Sequence, residues 1–465
     1  MGATRVETDS MGQMTVPAEA LYGAQTARAR ENFPISGRPM PRRFIAALGL
    51  IKQAAATVHK QAGRLDEEKA DAIIAAARDV IDGTLDEHFI VDVFQTGSGT
   101  SSNMNANEVI ANRAAQLLGG SAGDKALIHP NDHVNMGQSS NDVIPTALHL
   151  SASMAIHEQL VPALRKLRDV LSAKAEAFDG ILKIGRTHLM DAVPIRLGQE
   201  FSGYAAQIDS ALTGLLTAVA SLADAAIGGT AVGTGLNAPE GFAEQVCALL
   251  KQRAGVPVTE AVNHFAAQGA RDVALYTSGV LRMTALAMGK IASDIRLMGS
   301  GPRCGLGELI LPAVQPGSSI MPGKVNPVIC ESVIQVACQV VGCDAAIAAG
   351  ATGGVGSILD LNVAMPMIAH NLLTAIDLLA AAAEVFCTKC IAPLAADEAR
   401  CGELVERSLA MVTALAPQIG YDAAAEVARQ AHAAGKTIRQ ICLETGLLDE
   451  DQLNALLDAR GQTGP

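Results

Sequence analysis

Tryptophan is absent from this chain, and aromatic residues of all kinds make up only 3% of it. A core with so few rings, built from Ala, Leu, Val and Ile, favours closely packed helices over a sandwich or barrel. Positive charge is also scarce: 35 Lys and Arg against 47 Asp and Glu leave a net charge of −12. That balance argues against nucleic acid or an anionic membrane surface as a partner. The longest run without Asp, Glu, Lys or Arg, residues 361–376, contains Asn362, Pro366 and His370 and is shorter than a bilayer crossing requires. The first residues include Arg5, Glu7 and Asp9 and lack an apolar signal core, so a cytoplasmic location is expected. The nine cysteines are odd in number and scattered. Cys387-x-x-Cys390 is their one close pair, with no second pair or histidine at zinc spacing, so reduced thiols and no metal site are expected.

What is present is a long apolar chain: 465 residues, 49% hydrophobic. The length prior allows about three domains. The texture divides at 1–138, 139–395 and 396–465: a turn-rich start with polar loops, a stretch of long helices, and a more charged tail whose residues from about Arg460 are expected to fray. Residues up to about 45 read as irregular because Pro17, Pro34, Pro39 and Pro41 interrupt any period. Helical patterns follow at 44–59 and 66–81. Leu160, Leu164, Leu167 and Leu171 keep one apolar stripe, and Leu197, Phe201, Tyr204, Ile208, Leu212, Leu215, Val219 and Leu222 keep a cleaner one. With further patterns at about 265–298, 327–349 and 361–393, five long helices predict an all-α bundle.

Polar loops interrupt this apolar background. Gly317-Ser-Ser-Ile-Met-Pro-Gly-Lys-Val-Asn-Pro327 is too rich in Gly and Pro for a helix or strand, yet it gathers two hydroxyls, a cation and an amide. Such a set suits proton abstraction from an anionic substrate with fixed donors holding the new negative charge; an ordinary connecting loop is the alternative. In Gln95–Glu108, Ser98, Gly99 and Thr100 stand before a helical pattern, as a cap or as an anion cradle. His129-Pro-Asn-Asp-His133 has two histidines four apart, but Pro130 disfavours a helical metal face. Gln138-Ser-Ser-Asn141 follows directly. Gly185-Arg-Thr-His188 lies in a break between helices, where the histidine is structural or catalytic. Gly228–Asn237 is glycine-rich but lacks the strand and the Gly-Lys-Ser/Thr ending of a nucleotide loop.

The ten residues Gly317–Asn326 resemble the signature loop of the fumarase/aspartase superfamily, and Gly323 resembles the version in class II fumarate hydratases. Ala20–Thr26, Gln95–Glu108, His129–Asp132, Gln138–Asn141, Gly185–Asp191 and Pro417–Asp422 extend the similarity over nearly the whole chain. The resemblance implies an all-α, three-domain subunit with a central bundle of five helices, assembled as a homotetramer whose sites are shared between subunits. It implies Ser318, His188 and Glu331 as catalytic residues. Ser98, Gly99, Thr100, Ser139, Ser140, Asn141, Thr187, Ser319, Lys324, Val325 and Asn326 would bind a small dicarboxylate, and His129, Pro130, Asn131 and Asp132 would form a secondary carboxylate site. No metal or organic cofactor is implied. One departure stands out: many class II fumarases have an aromatic residue and Lys where this chain has Ala364 and Met365.

On this reading the reaction is reversible anti addition of water to fumarate, giving L-malate through a dianionic intermediate. Two alternatives remain at this stage. An aspartate ammonia-lyase or related fumarate-forming lyase typically carries Gln at the histidine position. A non-catalytic protein on the same fold is not excluded by fold alone.

Overall fold

The structure, a computed structural model, describes residues 3–464. Helices α1 (Arg42–Gln61) and α2 (Glu67–Asp82) lie where their apolar periods fall, burying Phe44, Leu48 and Ile51 on one and Ile73, Ala77 and Val80 on the other. Asp66 caps α2 by accepting from Lys69 N, and Gly83 ends it in the left-handed conformation. Next come α3 (Thr100–Leu117), α4 (Ser140–Ala155) and α5 (Val161–Ala177), then a hairpin of β1 (Leu182–Thr187) and β2 (Met190–Arg196). The remaining long helices are α6 (Leu197–Ser221), α7 (Asp272–Met298), α8 (Val328–Ala351) and α9 (Met365–Phe386). Both leucine-rich stripes are buried along their length.

Two compact units emerge. The first comprises Met1–Pro162, Thr213–Ala285 and Cys338–Ala380. Within it α7 meets α8 through Asp344, which accepts from Ser278 Oγ at 2.6 Å and pairs with Arg282 at 2.6 Å. Met367 and Ile368 of α9 close on Gly350 of α8. The second comprises Ala163–Leu212, Leu286–Ala337 and Ala381–Pro465. There Tyr204 Oη of α6 donates to Asp294 of α7 at 3.0 Å, and Lys166 of α5 pairs with Glu384 of α9 at 2.5 Å. A buried ionic cluster sits on the hairpin: Lys183 contacts Glu200 at 3.0 Å and Glu308 at 3.6 Å, and Arg186 contacts Glu308 at 2.8 Å.

Three local expectations need correction. The start of the chain is not irregular: Thr4–Asp9 and Gly12–Pro17 pair as a hairpin, and Ala24–Asn32 is helical. The prolines stand at the ends of these elements and leave their interiors unbroken. The last residues are anchored, since Arg196 donates to the Gly464 carbonyl at 2.9 Å and Gln199 to the Thr463 carbonyl at 2.8 Å. A two-residue strand, Asp224–Ala225, does precede the glycine-rich segment 228–237, although no helix opens from that segment before Phe242.

Two helices, Val328–Ala351 and Met365–Ile391, are long and apolar enough to cross a membrane by length and composition alone. They exceed the charge-free run counted from sequence because isolated charges such as Glu331 and Asp377 interrupt that run without interrupting the helix.

Candidate functional site

The first unit carries a patch of polar groups where two helices begin. Gly99 caps α3 in the left-handed conformation with φ 72°, and a side chain there would strike Ile144 at 2.8 Å. This turn sets Thr100 on the first turn of α3, where its Oγ1 bonds Ser98 Oγ at 2.8 Å and Ser140 Oγ at 2.7 Å. Ser139 caps α4 by accepting from Asn141 N at 3.2 Å, while its own N–H donates to Asp142 at 2.9 Å. Asn141 Nδ2 donates to the Ala231 carbonyl at 2.8 Å. Five of the expected substrate-binding side chains, Ser98, Thr100, Ser139, Ser140 and Asn141, are thus brought to neighbouring helix starts, the position where backbone N–H groups attract an anion.

Two buried groups behind this patch were not singled out from sequence. Lys52 donates to Asn135 Oδ1 at 2.8 Å and Gln138 Oε1 at 3.0 Å, directly below the 138–141 loop. Burial lowers its pKa to about 7, against the opposing pull of Asp142. Asp142 Oδ2 accepts from Gly228 N at 3.0 Å and Thr230 N at 2.9 Å, tying the glycine-rich segment to the start of α4. Burial raises its pKa to about 6, opposed by these N–H groups and by Lys52. The available signal was a lone cation inside the apolar stretch Leu48–Ala56. Residues in such a position are buried only when paired.

His129 and His133 each turn Nδ1 toward backbone N–H groups of their own segment. His129 Nδ1 accepts from Asn131 N at 3.2 Å and Asp132 N at 3.1 Å, and His129 N donates to His133 Nδ1 at 2.9 Å. His129, Pro130 and Asn131 line a cavity of about 310 Å³ together with Lys125 and Gln25.

The second unit holds the other candidates. His188 is at the tip of the β1–β2 hairpin, exposed, and both it and Leu189 have positive φ, 57° and 61°. A two-residue turn of this shape normally uses Asn-Gly, so placing His-Leu there stores strain, a feature that clusters at functional positions. Thr187 closes the hairpin opposite Met190. In the 317–327 loop, Ser318 Oγ accepts from Ile320 N at 3.2 Å and Met321 N at 3.0 Å. Gly317 cannot be larger, because a Cβ would lie 2.6 Å from the Lys324 carbonyl, and that carbonyl accepts from Gly317 N at 2.8 Å. Asn326 Nδ2 donates to the Gly317 carbonyl at 2.7 Å. Ser319, Lys324 and Val325 are exposed on the same loop. Glu331 lies on the first turn of α8. Among the described residues no hydrogen bond joins His188 to Glu331 or either of them to Ser318.

Comparison with known proteins gives the family and the fold. A family described as lyase matches residues 12–342, and the fumarase C C-terminus matches residues 411–461. A fumarate hydratase class II of Halobacterium salinarum is 54% identical over 459 residues, covering 99% of this chain and 97% of its own. One from Mycobacterium tuberculosis is 53% identical, covering 96% of this chain and 92% of its own. The chain belongs to the class II fumarate hydratase family. In structure it is similar to a class II fumarase from Schistosoma mansoni, with a TM-score of 0.95 at 40% identity over 98% of each chain. The all-α fumarase fold expected from sequence is the one found. The departure at Ala364 and Met365 also gains a physical description: Met365 is fully buried and its N–H donates to the Gly97 carbonyl at 3.1 Å. The position therefore packs an apolar side chain under the Gln95–Thr100 loop in this chain.

Proposed function

We propose that this chain catalyses the reversible hydration of fumarate to L-malate, with Ser318 as the base in the elimination direction. The observation that carries this reading is the pair of backbone N–H groups, Ile320 and Met321, aimed at Ser318 Oγ. A serine hydroxyl is a poor base at neutral pH, and donors fixed on its oxygen favour the alkoxide. The alkoxide takes the proton next to one carboxylate of malate. Lys324, Asn326 and Thr187 hold the resulting dianion, and Ser319 and Val325 complete the loop's contacts. Ser98, Gly99, Thr100, Ser139, Ser140 and Asn141 bind the substrate carboxylates at the helix starts. His188, polarised by Glu331, protonates the departing hydroxyl, which leaves as water.

This reading requires more than one copy of the chain. His188 stands at an exposed tip without the Glu331 partner it needs, while Leu216, Leu275, Tyr276, Met283, Leu286 and Val341 leave apolar surface exposed on the long helices. A homotetramer packed through those helices covers the surface and lets different subunits contribute the parts of each site. His129, Pro130, Asn131 and Asp132 form a secondary carboxylate site, with Lys125 supplying positive charge beside the same cavity.

Ser318→Ala tests the assignment. It is expected to lower turnover of L-malate by about 100-fold or more, as loss of a general base does, with oligomeric state and thermal unfolding unchanged. Near-wild-type turnover would overturn the role given to Ser318.

A further inference from the structure

Cys387-x-x-Cys390 suggests a local pair in sequence, but the structure couples Cys390 to a residue sixty positions away. Cys330 Sγ and Cys390 Sγ are 3.8 Å apart, both buried in the second unit. Cys387 instead points its thiol at the Lys166 carbonyl, 3.8 Å away. Cys330 is on the first turn of α8, next to Glu331 and four residues after Asn326, and Cys390 closes the turn Cys387–Ile391 that follows α9.

A narrow cavity reaches the pair. Cys330 and Cys390 line it with Asn326, Leu311, Pro312 and Val314, and it leaves about 10 Å³ for the centre of a water-sized molecule. That is close to the least space that admits one water. A bulky disulfide such as oxidised glutathione is excluded on size, which leaves hydrogen peroxide, one oxygen larger than water, as the smallest peroxide to test. The other seven cysteines are also free thiols, and Cys304 and Cys338 are exposed.

We propose that Cys330 and Cys390 form a site of reversible oxidation by small peroxides, closing to a disulfide that displaces the start of α8. The chemistry balances with hydrogen peroxide as oxidant. The Cys330 thiolate attacks the peroxide O–O bond, becoming a sulfenic acid and releasing hydroxide, which takes up a proton to become water. The Cys390 thiol then attacks the Cys330 sulfur, the S–S bond forms, and the sulfenic oxygen leaves as a second water. Two electrons pass from the two thiols to the peroxide. The hydrogen bond from Cys390 favours Cys330 as the attacking partner, holding its pKa below the ordinary thiol value, while the same contact and burial push Cys390 up. A disulfide requires the sulfurs at about 2.05 Å. Closing from 3.8 Å draws the Cys387–Ile391 turn and the first turn of α8 together, and that first turn carries Glu331 and begins two residues after Asn326.

The experiment treats the purified full-length protein with hydrogen peroxide, blocks remaining thiols after unfolding, and analyses unreduced peptides by mass spectrometry. The expected result is a peptide pair linking Cys330 to Cys390, with L-malate turnover falling several-fold in step with the link and returning on addition of dithiothreitol. Cys390→Ala is expected to abolish the linked peptide and the dithiothreitol-reversible loss of turnover. Should that variant not fold, the linked peptide in the wild-type protein decides the matter alone. Absence of the link, with both thiols still open to alkylation after unfolding, would overturn the proposal. Because the link is read by mass, its failure is distinct from failure of the hydratase reading.

Discussion

Thr100 Oγ1 and Ser140 Oγ lie 2.7 Å apart, each on the first turn of its own helix. The bond brings two helix N-termini and their free N–H groups together, a local concentration of anion donors in a chain of net charge −12. Ser140→Ala removes one hydroxyl from this pair without opening the core. The expected outcome is a rise of about 10-fold in KM for L-malate, the scale of one hydrogen bond to a charged group, with unfolding temperature nearly unchanged. Steady-state kinetics and a thermal melt check both halves.

The ionic cluster on the hairpin makes a different prediction. Glu308 is fully buried against Lys183 and Arg186. Glu308→Gln leaves Lys183 with Glu200 and takes the carboxylate from Arg186, and removing one partner of a buried pair costs about 3–5 kcal/mol. Urea unfolding should show a loss of that order. Since Arg186 lies two residues before His188, turnover is expected to fall as well.

A pH dependence follows from His149. Burial, then the nearby positive charge of Arg271, lowers its pKa to about 4 from 6.5, while its Nδ1 hydrogen-bonds the Asp224 carbonyl at 2.8 Å. Between those values the unfolded chain binds the proton and the folded one does not, so this residue's contribution to stability is present above pH 6.5 and lost as pH falls toward 4. The stability difference between wild type and His149→Gln should therefore shrink on acidification from pH 7 to pH 4. A difference that stays constant over this range would contradict it.

Much of this was legible in the sequence because the signals are local. Leu160 through Leu171 and Leu197 through Leu222 follow the helical period over many turns, and both stripes are buried as that period requires. Loops such as Gly317–Pro327 were visible because Gly and Pro punctuate them. What stayed hidden depends on pairing across the fold. Nothing in the spacing of Leu182–Arg196 showed that a strained turn would carry His188 at a hairpin tip, because His and Leu are poor residues for that conformation. Lys52 reads as one helical residue until Asn135 and Gln138 close over it. Cys330 and Cys390 likewise become a pair only when α8 and the turn after α9 meet.

The central claim is hydration, and the nearest competing chemistry shares its first half. Hydratase and ammonia-lyase both abstract a proton and form a dianion, so Ser318, Lys324 and Asn326 do not separate them. The leaving group does. A hydroxyl must be protonated as it departs, which suits a histidine, whereas an ammonium already carries its proton and is repelled by a charged one. The direct measurement is purified protein incubated with L-malate and, separately, with L-aspartate, following the ultraviolet absorbance of fumarate. Rapid fumarate formation from L-malate and at most a trace from L-aspartate is the predicted result; robust deamination of L-aspartate with no turnover of L-malate would contradict it.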